Sequence, residues 1–188
     1  MVVADKPHGM PTQRTAGGEP GLVEHLSEEL GIGLTLHHRL DQPASGVVVF
    51  GAHPHANRGL ANGFRTHTIG REYRAVLAGQ AESGAWDWPV QGKAARTEVS
   101  VEATAAGMTA VRVTLRTGRK HQIRVHAAMA GVPIVGDRRY GGEVGRAWPR
   151  LALHAARLTM THPVTGDALE FTAPLPADLT DLWGRVCG

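Results

Sequence analysis

Short stretches of alternating apolar and polar residues, broken by glycine and proline clusters, dominate this chain and predict mostly strands. Val2 to Ala4 opens as a strand and runs into DKPHGMPTQ, where Pro7, Gly9 and Pro11 forbid regular structure. PGLVEHLSEELG predicts a helix, with Pro20 at or near its first turn, Leu22, Val23, Leu26 and Leu30 on one face, and Gly31 as its stop. A strand–turn–strand unit follows over Leu34 to Phe50, then a short helix from Pro54 to Phe64 that Gly59 and Gly63 weaken. REYRAVLAG alternates into a strand with Tyr73, Ala75 and Leu77 on one side, and RTEVSVEAT and TAVRVTLRT read as antiparallel neighbours with one wet face. HQIRVHAAMAG is expected to be a helix closed by Gly131, LALHAARLTMTHP and ALEFTAPLP two further strands, and ADLTDLWGRV a closing helix. Many strands and few helices, not in strict alternation, place the chain in the α+β class, around a largely antiparallel sheet with flanking helices.

Composition narrows this picture. With 188 residues, 42% hydrophobic and 20% charged, the chain is expected to form a single domain with a substantial core. The start, MVVADKPHGM, has no long apolar run and carries Asp5 and Lys6, so neither a signal peptide nor a membrane span is expected and a cytoplasmic location follows as the default. The single Cys187 has no partner within the chain, which fits a reducing compartment.

Charge is modest in sum, +3, but uneven. Residues 112–157 hold 10 Lys/Arg against 2 Asp/Glu, a local +8, while the flanks together carry −5. Such a concentration suits a polyanion, because each cation laid on a phosphate releases a condensed counterion. A solvated basic face with no partner is the plainer alternative.

The unit LTLHHRLDQPASGVVVF places one carboxylate, Asp41, in a polar turn, two positions after Arg39. Strands on either side can hold a loop side chain at a fixed angle, so Asp41 is a candidate reactive group. Asp before Gln-Pro and then Ser-Gly is equally what a turn requires, and that reading stands beside the first.

HRLDQPASGVVVF and TGRKHQIRVHAAMAGVPIVGDRRYGG, with VVADKPHGM, REYRAVLAG and FTAPLPADL in the same order, resemble the RluA-type family of pseudouridine synthases over almost the whole chain. The resemblance implies a cofactor-free, metal-free isomerase that converts uridine to pseudouridine in ribosomal or transfer RNA, on a mixed, largely antiparallel sheet with an active-site cleft. It places the catalytic aspartate at Asp41, an active-site tyrosine at Tyr73 and the arginine that pairs with the catalytic carboxylate at Arg124. Arg39 matches a residue that enters the RNA stack when the base leaves it. Arg71, Arg116, Arg119, Lys120, His121, Arg138 and Arg139 are expected on the RNA side, chiefly as phosphate contacts that fix register. Ala44 stands where the family has threonine, and Arg71 where it more often has lysine. The small S4-like RNA-binding domain that many relatives carry ahead of the first block is not expected here, and a monomer is.

That chemistry suits these residue types. An ionised carboxylate beside the anomeric carbon can act as nucleophile or base. A neighbouring guanidinium opposes the rise in pKa that a dry pocket would impose on it. The everted uracil needs an aromatic surface to stack on, and the gap it leaves needs filling, tasks that suit Tyr73 and Arg39. Two rivals are a non-catalytic RNA-binding module and a metal-dependent hydrolase using the 11 histidines. The second lacks a His-Glu-x-x-His pattern, and His121 and His126 are five apart, off a common helical face.

Overall fold

A strand buried along its whole length needs apolar neighbours on both faces, and GVVVF within Ser45–Gly51 supplies them without interruption. In the computed structural model, which describes residues 1–188, this segment is β3. The chain divides into two compact units, residues 1–71 with 155–173, and residues 72–154 with 174–188. The fold class is a mixed, mostly antiparallel open sheet with four helices.

In the first unit β1 (Val2–Lys6) runs antiparallel to β3, from Val2 opposite Phe50 to Lys6 opposite Gly46. The two-residue β2 (Thr35–Leu36) pairs with the far end of β3. β8 (Leu153–Thr161) follows β3 in the sheet and carries β9 (Ala168–Thr172) antiparallel beside it. Helix α1 (Leu22–Leu30) starts one residue after Gly21, its N-cap, so Pro20 lies just outside the helix. The Glu24 carboxylate reaches back to accept the Gly21 N–H at 2.8 Å, which fixes that boundary. Helix α2 (Pro54–Arg65) brings Leu60 onto Val47 and Val49 of β3 and Ile69, Leu158, Met160 and Ala173, the core of this unit.

In the second unit β4 (Gly70–Ala78), β7 (Met108–Leu115), β6 (Thr97–Ala105) and β5 (Gly84–Trp86) lie in that order, each pair antiparallel, so that β5, β6 and β7 form a meander and β4 lies beside β7. Val99, Val111 and Val113 are buried while Arg112 and Glu102 meet at 3.1 Å on the wet side, the alternation that the sequence predicts. β5 escapes sequence reading because three residues carry no period. Helix α3 (Gln122–Met129) and a 3₁₀ turn (Gly142–Arg146) follow β7, and α4 (Ala177–Cys187) closes the chain with Leu179, Leu182 and Val186 buried.

Candidate active site

The loop that carries Asp41 is gripped by the N-terminal loop. Leu40 donates to and accepts from the Thr12 hydroxyl, at 3.2 and 2.8 Å. Gly9 N–H donates to the Gln42 carbonyl at 2.8 Å, and the Gln42 amide returns a bond to the Gly9 carbonyl at 2.9 Å. Lys6 is fully buried, and its ammonium donates to the carbonyls of Pro7, Met10 and Gln42 at 2.9, 2.7 and 3.3 Å. Three donors meeting three carbonyls is what makes burying a lysine tolerable. Asp41, half-buried, is thus held from both sides. The turn itself closes through backbone, Ala44 N–H to the Asp41 carbonyl at 3.0 Å. Gly46, in a left-handed conformation, passes so close to Ala155 that a Cβ would overlap its carbonyl, which explains Ser-Gly at the exit of this turn.

On the entry side of the loop His38 stacks on Phe64, ring centroids 4.5 Å apart, and its Nε2 accepts the Val49 N–H at 3.0 Å. Burial, with the nearby charge of Arg71 and with His37, pushes the His38 imidazole down to about 3. A histidine held neutral makes the folded state bind fewer protons than the unfolded chain between that value and 6.5, so stability declines as pH falls through this window. Urea titrations at pH 7 and 4.5 are expected to show the parent losing about 1 to 2 kcal/mol more than His38→Gln over the same step. Equal losses would remove His38 as the cause.

In the second unit Gln122 organises the basic segment. Its Oε1 accepts from the Thr117 hydroxyl at 2.7 Å and the Arg119 N–H at 3.0 Å, and its Nε2 donates to the Arg96 carbonyl and Thr97 Oγ1 at 3.0 and 2.9 Å. His126 sits between Thr97 Oγ1 at 2.9 Å and the Trp88 carbonyl at 2.8 Å, and since that carbonyl only accepts, Nε2 is the donor. His126, His38 and His53, which caps α2, therefore serve the fold, and no group of three His, Cys, Asp or Glu stands where a metal ion could be held.

Arg124 is the most committed side chain of this unit. It is buried, and its Nε and Nη2 donate to the two oxygens of Asp137, each at 2.8 Å. Asp137 Oδ1 also accepts the N–H groups of Arg139 and Tyr140 at 3.0 and 3.1 Å. Burial pushes the Asp137 carboxyl up, but the bonds and charge of Arg124 and these N–H groups pull it down further, leaving it below the usual carboxylate range. Gly136 makes the placement possible: its backbone is left-handed, and a Cβ there would overlap the Arg150 carbonyl. The guanidinium of Arg124 lies 5.1 Å from the Tyr140 ring and that of Arg139 lies 5.5 Å from it. The Tyr140 hydroxyl is hydrogen-bonded to His121 Nδ1 at 2.8 Å.

The expected site residues thus fall into distinct settings. His121, Arg124 and Arg139 converge on Tyr140. Tyr73 is buried on β4 opposite Val113. Arg39 is exposed on the Asp41 loop, and Arg71 is half-buried near His38. Arg116 donates to Glu98 at 2.8 Å, and Arg119 Nε donates to the Ala94 carbonyl at 3.0 Å. Lys120, Arg138 and Arg139 are exposed. Much of the +8 of the basic block is offset in three dimensions, since Glu98, Glu102, Asp178 and Glu170 from the flanks sit against Arg116, Arg112, Arg150 and Arg157. Asp137, Gln122 and Tyr140 stand inside the block TGRKHQIRVHAAMAGVPIVGDRRYGG but were given no role of their own in the sequence. A further signal was that Asp137 is among only 2 acids in the basic segment.

Comparison with known proteins places this arrangement. The family model described as RNA pseudouridylate synthase matches residues 1–129. The uncharacterized RNA pseudouridine synthase YlyB of Bacillus subtilis (strain 168) is 33% identical over 97% of this chain and 68% of its own length. The ribosomal large subunit pseudouridine synthase D of Haemophilus influenzae is 32% identical over 97% of this chain and 67% of its own. Human RNA pseudouridylate synthase domain containing 4 shares the fold, with a TM-score of 0.78 at 24% identity over 98% of this chain and 88% of that one. Human RNA pseudouridylate synthase domain containing 1 aligns with a TM-score of 0.76 at 26% identity, over 93% and 79%. Fold and motifs together define an isomerase that acts on RNA. The chain belongs to the RluA-type RNA pseudouridine synthase family. It spans about two thirds of the length of the curated relatives named here.

Proposed function

We propose that this chain isomerises uridine in large-subunit ribosomal RNA, with Asp41 as the reacting carboxylate, Tyr73 and Arg124 as its catalytic partners, and Arg39 filling the stack vacated by the flipped base. The substrate follows from relatives named as ribosomal large subunit synthases at 31–32% identity. The observation that carries the residue assignment is the grip of Lys6, Gly9 and Thr12 on the Asp41 loop, restraint that a reactive carboxylate needs and a surface turn does not. Asp41 supplies negative charge at the anomeric carbon as its bond to N1 breaks. After the base turns, C5 bonds that carbon, and the proton leaving C5 is replaced by one at N1, with no net redox change. Tyr73 offers a face for the everted uracil. Arg124 favours the charged form of the catalytic carboxylate. The protein acts as a monomer in the cytoplasm.

Affinity comes from phosphates. Arg119, Lys120, Arg138 and Arg139 have no carboxylate within ion-pair distance and flank the Tyr140 cluster. If all four meet phosphates, log affinity should fall with log salt with a slope of about −3 to −4, and Arg138→Gln with Arg139→Gln should flatten it by about 1.5 to 2. An unchanged slope in that double variant would take both arginines off the RNA.

The reading is tested by incubating the protein with in vitro transcribed large-subunit ribosomal RNA, and separately with transfer RNA, and mapping pseudouridine by chemical labelling. New pseudouridine in the ribosomal transcript is expected. Modification of transfer RNA alone would overturn the substrate, and of neither the activity.

A further inference from the structure

We infer that Asp137 is a positioning residue for the isomerisation, acting through Arg124, an inference that rests on the role proposed above for that arginine. An arginine side chain has several rotatable bonds, and a guanidinium that must present charge in one direction gains from having them fixed beforehand. Here the fixing is done by two partners. The Nε and Nη2 edge is locked side-on to both carboxylate oxygens. The guanidinium carbon also lies 5.1 Å from the centroid of the Tyr140 ring, whose hydroxyl is tied to His121. His121 itself is the N-cap of α3 in a left-handed conformation, φ 58, a backbone state uncommon for a non-glycine residue.

Asp137 is held as firmly as it holds. Its side chain is 0% exposed, that of Arg124 6%, and two backbone N–H groups reach Oδ1 in addition to the guanidinium. With Asp137 on the Nε and Nη2 edge, Nη1 is the one guanidinium nitrogen that this carboxylate does not engage. Stability alone does not call for this construction, since a buried ion pair can be replaced by apolar side chains of like volume without loss. A side-on carboxylate does something an apolar neighbour cannot: it sets the orientation of a cation while keeping that cation charged.

The test compares Asp137→Asn, Asp137→Glu and Arg124→Gln with the parent. Tritium release from RNA carrying uridine labelled at C5 is followed under saturating enzyme, with RNA affinity and thermal melting measured alongside. Asp137→Asn is expected to lower the single-turnover rate constant by about 30- to 100-fold, with affinity within about threefold of the parent. Asp137→Glu, which keeps the charge one methylene further out, should recover part of that loss yet stay at least about threefold below the parent. A purely structural role would lower the melting temperature and leave the rate constant of the folded fraction unchanged, so a parental rate constant in Asp137→Asn overturns the inference. If the Asn variant does not fold, the Glu variant decides, and a parental rate constant there overturns it equally. Arg124→Gln, which removes the charge, separates the two levels. A parental rate in its folded fraction removes Arg124, and with it the reading beneath. A slow Arg124→Gln beside a parental Asp137→Asn removes only Asp137.

Discussion

Asp41→Ala is expected to abolish pseudouridine formation, by at least about 10⁴-fold in single-turnover rate, while RNA binding stays within a few-fold of the parent. The size of the effect follows from the reaction. Nothing is oxidised, reduced or hydrolysed, so the protein's contribution at the anomeric carbon rests on one negative charge at one position. Removing it leaves base flipping and phosphate binding in place but no group to meet the charge that develops as the bond to N1 breaks. Binding should survive because the cations without carboxylate partners, Arg119, Lys120, Arg138 and Arg139, lie on other segments of the chain. Asp41→Asn keeps the shape and loses the charge, and should be as inactive as alanine. Asp41→Glu keeps the charge but must fit a loop fastened at Leu40 and Gln42, on either side, and should retain little activity. Mapping the modified positions and measuring filter binding with the same RNA would decide the matter. A parental yield from Asp41→Ala would remove this residue from the chemistry.

Arg124→Met is expected to destabilise the protein by about 3 to 5 kcal/mol at neutral pH, the second large effect. Methionine fills much of the space but leaves the fully buried Asp137 carboxylate without its fork. In the parent, Asp137 titrates below its ordinary value of 3.8, so its contribution to stability is present above that value and lost as pH falls through the folded one. Without Arg124, burial acts against only the two backbone N–H groups and the carboxyl moves up. The sign reverses: the variant is penalised above its raised value and recovers as acid protonates the group. Denaturation at pH 7 and 4.5 should therefore show a smaller deficit at the lower pH, and adding Asp137→Asn should restore part of the stability at pH 7. A deficit independent of pH, with no rescue by Asn, would mean that lost packing rather than an orphaned charge causes the damage.

The elements were readable where local signals agreed. GVVVF after turn residues announced a strand, alternation in TEVSVEA and TAVRVTL announced antiparallel neighbours with one wet face, and Gly31 and Gly131 marked helix ends. Pro20, expected at or near the first turn, stands one residue before the cap because Glu24 closes on Gly21, and β5 and the 3₁₀ turn are too short to show a period. HRLD and HQIR were visible as motifs, but the charge of the basic block was misleading in one dimension. Arg116 stood out as a phosphate-ready cation, and the sheet brings Glu98 against it.

The sequence by itself determined the strand-rich architecture and the family, and singled out Asp41 and Arg124 as candidates, because periodicity, turn residues and contiguous motifs are properties of neighbouring positions. Tertiary structure alone decided what holds them: Thr12 on Leu40, Lys6 on the Gln42 carbonyl, Gln122 on Thr97, Asp137 and Tyr140 around Arg124. These partners lie between 13 and 36 positions apart or on separate elements, and they meet only once buried groups must satisfy their hydrogen bonds and charges against whatever the fold has brought within reach.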